Sequence, residues 1–185
     1  MTLLNRSALA LLPLALVLCA TRDAASQELR PVSFEFNVGA GFGGSSAAHG
    51  PSGGASGDVL LGFRPGARAA GGFVVALSGS GQAFGVNFAC DIVPGGSCTP
   101  EFPEFWILSA LAGWETGNGA ARLLIGPAVA TSSSEQVGAA QARLELAKPI
   151  FSHLSVLASA RFSYIPKYLD DSFRLGSIGV GFRLR

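Results

Sequence analysis

Few residues in this chain are equipped for chemistry, and their spacing narrows what that chemistry is. There are two histidines: His49, in a Gly/Ser tract, and His153, two residues before Ser155. A hydrolase needs its nucleophile and base within hydrogen-bond reach of each other. On a strand, His153 and Ser155 share a face but stand about 7 Å apart, so they form no dyad. A polar side chain at the end of a strand accounts for His153. The run "GAGFGG" over residues 39–44 begins like a phosphate loop, yet it lies in an alternating segment and no helix follows it. No group of His, Cys and carboxylate residues has metal-ligand spacing. No enzyme, cofactor or metal is expected, and a lipid-modifying enzyme built on His153 is the catalytic alternative.

Two other sets carry more. Cys90 and Cys98, in "CDIVPGGSC", close a short loop around Pro94, Gly95 and Gly96, and in an oxidising compartment such a pair reads as a disulfide. Metal binding is the alternative, with no histidine nearby to support it. The second set is ionisable: Glu35, Asp58, Arg64, Glu115, Arg122, Arg143, Glu145, Arg161 and Arg183 all fall one step out of phase with the apolar residues around them. If that phase faces an interior, the charges must pair there. The expected polar network is Glu35, Arg122, Arg143, Glu145, Arg161 and Arg183, with Arg161 assigned to Glu35 or Glu145.

The elements that would hold these residues are strands. Side chains on a strand alternate between its two faces. Residues 32–42 place Val32, Phe34, Phe36, Val38, Ala40 and Phe42 on one face and Ser33, Glu35, Asn37, Gly39 and Gly41 on the other, a pattern no helix satisfies. The same alternation recurs over residues 58–64, 71–81, 104–115, 120–131, 137–147, 153–164 and 173–185, giving eight strands. Pro127 removes one ladder hydrogen bond and implies a bulge or local gap. Between strands, the Gly/Ser/Pro tract 43–57, the segment 84–103, residues 132–136 and "IPKYLDDS" (165–172) read as longer or polar loops, whereas "PGA" (65–67), "TGNG" (116–119) and "KPIFS" (148–152) read as tight turns.

The first 26 residues differ from the rest. Arg6 precedes an apolar run over residues 8–20, and Ala24-Ala25-Ser26 offers a small-residue cleavage site, the plan of a secretory signal. Residues 1–26 are therefore expected to be a signal peptide and residues 27–185 one domain. Of the 13 basic and 12 acidic residues, Arg6, Arg22 and Asp23 fall in the signal, leaving 11 of each. That balance implies no nucleic-acid partner. The mean hydropathy is +0.42, high for an exported chain without a second apolar stretch. A chain that crosses lipid must pair every backbone N–H and C=O within itself, as a helix or a closed barrel.

Three observations place the apolar face against lipid. The polar face is mostly Gly, Ser and Ala with scattered Arg and Glu, which suits the narrow lumen of eight strands. Aromatic residues mark strand ends: Trp106 and Trp114 lie eight residues apart on one face. At ~3.3 Å per residue and a tilt of about 45°, that separation projects to roughly 19 Å, near the height of the apolar band of a membrane barrel. Phe162 and Tyr164 close that band on another strand, completing the expected aromatic girdle with the two tryptophans. Strands of about 11 residues also suit a tilted bilayer crossing.

The ordered strands resemble the small eight-stranded outer-membrane proteins of the OmpA-like and OmpX-like barrel group. The resemblance extends over the chain after the signal, and residues 138–165 and 173–185 carry most of it. It implies an antiparallel up-and-down transmembrane β-barrel, monomeric, with both ends in the periplasm and outer-membrane lipid around it. The final strand, with Ile178, Val180 and Phe182 alternating with Gly179 and Gly181, resembles the signal by which the barrel-assembly machinery recognises such chains, although this one ends on Arg185 rather than an aromatic. The implied role is structural or one of surface contact. Loop 84–103 is the expected contact surface for an extracellular ligand, with Phe84, Phe88, Ile92, Val93 and Phe102 exposed on it. A soluble exported barrel binding an apolar ligand is the runner-up.

Overall fold

The computed structural model describes residues 31–45, 52–65, 71–84, 88–90, 98–100, 104–132, 135–168 and 170–185. The expected signal peptide (1–26), His49 and most of segment 84–103 lie outside them. Among the described residues there are ten strands, the long ones following the alternation of apolar and polar residues: β1 (Val32–Ser45), β2 (Ser52–Phe63), β3 (Gly72–Phe84), β4 (Phe88–Cys90), β5 (Cys98–Pro100), β6 (Phe105–Glu115), β7 (Ala121–Thr131), β8 (Gln136–Phe151), β9 (Leu154–Tyr168) and β10 (Asp171–Leu184). Eight of them close into a barrel in the order β1-β10-β9-β8-β7-β6-β3-β2, each antiparallel to its neighbours, while β4 and β5 form a separate two-stranded ribbon between β3 and β6. β1 seals the ring by pairing with both β2 and β10, from Phe34 opposite Leu184 to Ser45 opposite Phe173 on the latter side. The two ends of the barrel chain therefore meet at one rim. Closure leaves no edge of the eight-stranded sheet unpaired.

Six of the eight barrel strands are longer than the sequence reading gave them, while β6 and β7 are each one residue shorter. The second half of the Gly/Ser/Pro tract is strand, because β2 begins at Ser52 and pairs with Gly43. β8 runs through Lys148 to Phe151, and β9 runs through Ile165 to Tyr168. The expected rule of tight connections alternating with long ones is overturned. The link after β2, residues 64–71, is eight residues, whereas β9 and β10 are joined by Leu169 and Asp170 alone. Asp170 has φ 63°, which Asp tolerates in so tight a hairpin. Strand propagation wins at residues 165–168 because Ile165 continues the inward phase and, past a register irregularity opposite Asp171 and Phe173, Tyr168 also turns inward, both fully buried.

Around Pro127, β6 and β7 pair from Trp106–Thr131 to Ser109–Ala128 and again from Ala112–Ile125 to Glu115–Arg122, with the two intervening pairs lapsed. The register is the same on both sides, so the proline opens a local gap and no bulge. At the rim where the chain ends meet, the 116–119 turn is closed by Gly119 N–H donating to Thr116 C=O at 2.9 Å, with Gly119 at φ +69°. An L-residue pays about 1–2 kcal/mol for that conformation. Gly119→Ala is thus expected to lower stability by about that much, read as a shift of the urea unfolding midpoint, without changing the strand content seen by circular dichroism.

Candidate functional site

The barrel wall has two chemically opposite faces. Outward stand the large apolar residues of every barrel strand, among them Phe34, Val59, Phe73, Leu108, Leu123, Leu144, Phe162 and Ile178, all between about two-fifths and two-thirds exposed. Trp106, Trp114, Phe162 and Tyr164 are on this face. The Trp106 ring lies over Gly81 and the Phe42 ring over Gly176, where a Cβ would collide with them, so aromatic rings fill the space that the glycines leave on neighbouring strands.

The inward face is charged at the end where the barrel chain begins and finishes. Glu35, Glu115, Arg122, Arg143, Glu145 and Arg183 are each no more than 2 % exposed. Glu35 accepts Arg122 Nη1 at 2.5 Å and Arg183 Nε at 2.7 Å. Arg183 bridges further, with Nη2 to Glu145 at 2.6 Å and Nη1 to Glu115 at 3.1 Å. Arg143 Nε pairs with Glu145. Glu115 also gathers Arg122 at 3.2 Å, Arg64 at 3.5 Å and the Arg185 guanidinium. Burial, with the nearby Arg183 adding to it, pushes the Arg185 guanidinium down to about 10, still well above neutrality, so it enters the network charged. Arg122 and Glu35, like Arg183 and Glu145, come from strands that are not neighbours in the ring, whereas Arg143 and Glu145 share β8 and Glu35 and Arg183 are cross-strand partners. Each charge is held by hydrogen bonds as well as by proximity, which is the condition for tolerating buried ions.

Arg161 does not pair with Glu35 or Glu145, as the sequence reading assigned it. Its partner is Asp58, at 3.4 Å, and Asp58 also takes Arg143 Nη1 at 2.5 Å. The reassignment follows from stagger: Arg161 sits directly across from Arg143, one inward step above Glu145 on β8, at the height that Asp58 reaches from the opposite wall.

Farther along the lumen the side chains turn neutral. Ser109 Oγ donates to Gln141 Oε1 at 2.5 Å, Gln141 Nε2 donates to Ser163 Oγ at 3.1 Å, and Gln82 Nε2 donates to the Gly176 carbonyl at 3.1 Å. Beyond them lies an apolar cluster that includes Phe84, Phe105, Ile165, Tyr168, Phe173 and Leu175. Phe105, Tyr168 and Phe173 meet ring to ring at 5.1, 5.4 and 5.8 Å, two of the three pairs edge-on, a favoured aromatic geometry. This cluster was not anticipated. Its signal was present, since Ile165 keeps the phase of Arg161 and Ser163, and Phe173 that of Leu175 and Ser177. Phe84, expected on an exposed loop, is 4 % exposed and belongs to this cluster.

His153 and Ser155 are not brought together. His153 lies in the β8–β9 turn and is exposed, its carbonyl accepting the Arg185 N–H at 3.0 Å, whereas Ser155 is buried in the lumen. The expectation that they share a strand face is corrected, because β9 begins only at Leu154. In the β4–β5 ribbon, Cys90 and Cys98 are backbone register partners. The Cα atoms of such antiparallel pairs are about 4.5–5.5 Å apart.

No protein-family model matches the chain. No curated protein matches it either. Among solved structures, that of Neisserial surface protein A superposes with a TM-score of 0.61 at 14% identity, over 84% of this chain and 97% of that one. Ail, the attachment invasion locus protein of Yersinia pestis, solved with the heparin analogue sucrose octasulfate, gives a TM-score of 0.49 at 12% identity, over 84% of this chain and 100% of that one. The likeness to Neisserial surface protein A is one of fold: an eight-stranded, antiparallel, up-and-down closed barrel.

Proposed function

We propose that this chain is an integral outer-membrane barrel, exported by its first 26 residues, whose lumen is plugged and whose role is structural or one of surface contact. The observation that carries the reading is the inverted wall, apolar outside on all eight barrel strands and charged inside. In water, so large an exposed apolar band would drive association; in lipid it is the solvated face. A soluble carrier of an apolar ligand would turn its apolar face inward. The lumen offers no open path in this reading, because the arginine-carboxylate network fills one half and the aromatic cluster the other. Assembly would proceed through recognition of β10.

Fractionation tests this directly. The folded protein is expected in the outer membrane and is expected to migrate faster on a gel before heating than after it; recovery from the soluble periplasm would sink the proposal. A charge on the outer wall gives a second test. Val38 lies midway between Phe34 and Phe42 and is half exposed. Val38→Arg is expected to cost about 2–4 kcal/mol in vesicle-inserted protein, the price of an arginine near the bilayer midplane, whereas on a water-facing surface it would cost nothing.

For the contact role, the support is the ribbon between β3 and β6. The backbone register of Cys90 and Cys98 suits a disulfide, whose Cα separation ranges over about 4.4–6.8 Å. That bond would staple segment 84–103 into one shape. Changing both cysteines to Ser is expected to leave insertion and heat-modifiable migration intact while altering adhesion of cells displaying the protein. If the double variant fails to insert, the staple serves the barrel and not the surface.

A further inference from the structure

The charges of the lumen do not balance. Among the described residues its network contains six guanidiniums, counting Arg185, against the four carboxylates of Glu35, Asp58, Glu115 and Glu145. The shortage is most local where β8 meets β9. Arg143 and Arg161 are cross-strand partners, and like charges so placed repel. Asp58 is the carboxylate they share, and its Oδ1 accepts both Arg143 Nη1 and Asn37 Nδ2, the latter at 3.1 Å. Arg161 is left with Nε and Nη2 buried and without hydrogen-bond partners, and Arg143 with Nη2 in the same condition. That Nη2 is 3.8 Å from Glu35 Oε2, beyond hydrogen-bond range. Both arginines are more than nine-tenths buried, and the buried Ser177 stands opposite Arg161 on β10.

Buried guanidinium donors without acceptors are costly. Water would accept at most two of these hydrogen bonds and leave the surplus charge in place. An anion answers both demands. We propose that the lumen binds a small inorganic anion of the halide class beside Arg161, accepting from its Nε and Nη2, with Arg143 as the neighbouring positive charge. The site lies between the salt-bridge network and the aromatic cluster, so it is a resident counter-ion site and not a passage.

Bromide is the probe, with the full folded chain in detergent. Crystals grown in bromide are expected to show an anomalous peak within about 3.5 Å of the Arg161 guanidinium, and bromide is expected to raise the melting temperature above that in gluconate at equal ionic strength. Arg161→Gln should weaken the bromide dependence of melting by about tenfold or more, the loss typical of charge-assisted hydrogen bonds, and Asp58→Asn should strengthen it by removing the competing carboxylate. A water in place of the peak, equal melting in the two salts, or Arg161→Gln melting with the wild-type bromide dependence would each overturn the site. Should either variant fail to fold, the peak and the salt comparison on the wild-type protein decide.

Discussion

Glu35→Gln is expected to destabilise the barrel by about 3–5 kcal/mol, the usual consequence of removing one partner from a buried ion pair. Glu35 is fully buried and takes Arg122 at 2.5 Å and Arg183 at 2.7 Å. Gln keeps the shape and one acceptor oxygen but removes the charge, so both guanidiniums lose their nearest counter-charge in a lumen already short of carboxylates. Equilibrium urea unfolding in vesicles measures the loss. Combining Glu35→Gln with Arg183→Met should recover part of it, because the second change removes a charge that the first left uncompensated. A single-variant loss under about 1 kcal/mol would mean that water reaches and solvates these arginines, since exposed ion pairs contribute no more than that.

Phe105→Ala is expected to cost about 3–5 kcal/mol, the range for deleting a buried aromatic side chain, and to open the apolar end of the lumen. Phe105 is 1 % exposed and touches the rings of both Tyr168 and Phe173. Its removal leaves a cavity that the surrounding closed sheet cannot collapse to fill, because each neighbouring strand is hydrogen-bonded on both sides. Single-channel recording in planar bilayers supplies the second readout. The wild type should show no steady conductance, and the variant should show more than the wild type does. Equal currents would mean that the charged half alone closes the lumen.

The two substitutions disrupt different halves of one tube, and the halves were not equally legible. The charged half could be read from single strands. Glu35, Arg122, Arg143, Glu145, Arg161 and Arg183 each break a run of apolar neighbours at the polar phase, and a charge in that phase has only one face to occupy. The apolar half is harder to read: Ile165 to Tyr168 reads as loop because it contains Pro166 and Lys167, and Phe105, although inside an expected strand, stands beside Trp106 and so merges with an apolar run. Phase marks Ile165 and Phe105 as inward, whereas Tyr168 turns inward only through the register irregularity opposite Asp171 and Phe173, and the turn-forming composition of 165–168 argues for a loop. Burial of Ile165 and Tyr168 outweighed it.

What the sequence determined by itself is local: a period of two, and on each strand which face is apolar. That is enough for an all-β chain with an inverted wall, because alternation is a property of neighbouring residues and survives whatever the strand pairs with. Which charge meets which was decided only by the tertiary structure. Arg183 and Glu35 are 148 residues apart, and Arg143 and Asp58 are 85 apart. Their meeting depends on the stagger of eight strands around a closed ring, and stagger accumulates from every hairpin, including the one that joins β9 to β10. A change of register by two residues preserves every face and moves every partner, so Arg161 could be placed inside from the sequence but joined to Asp58 only by the closed barrel.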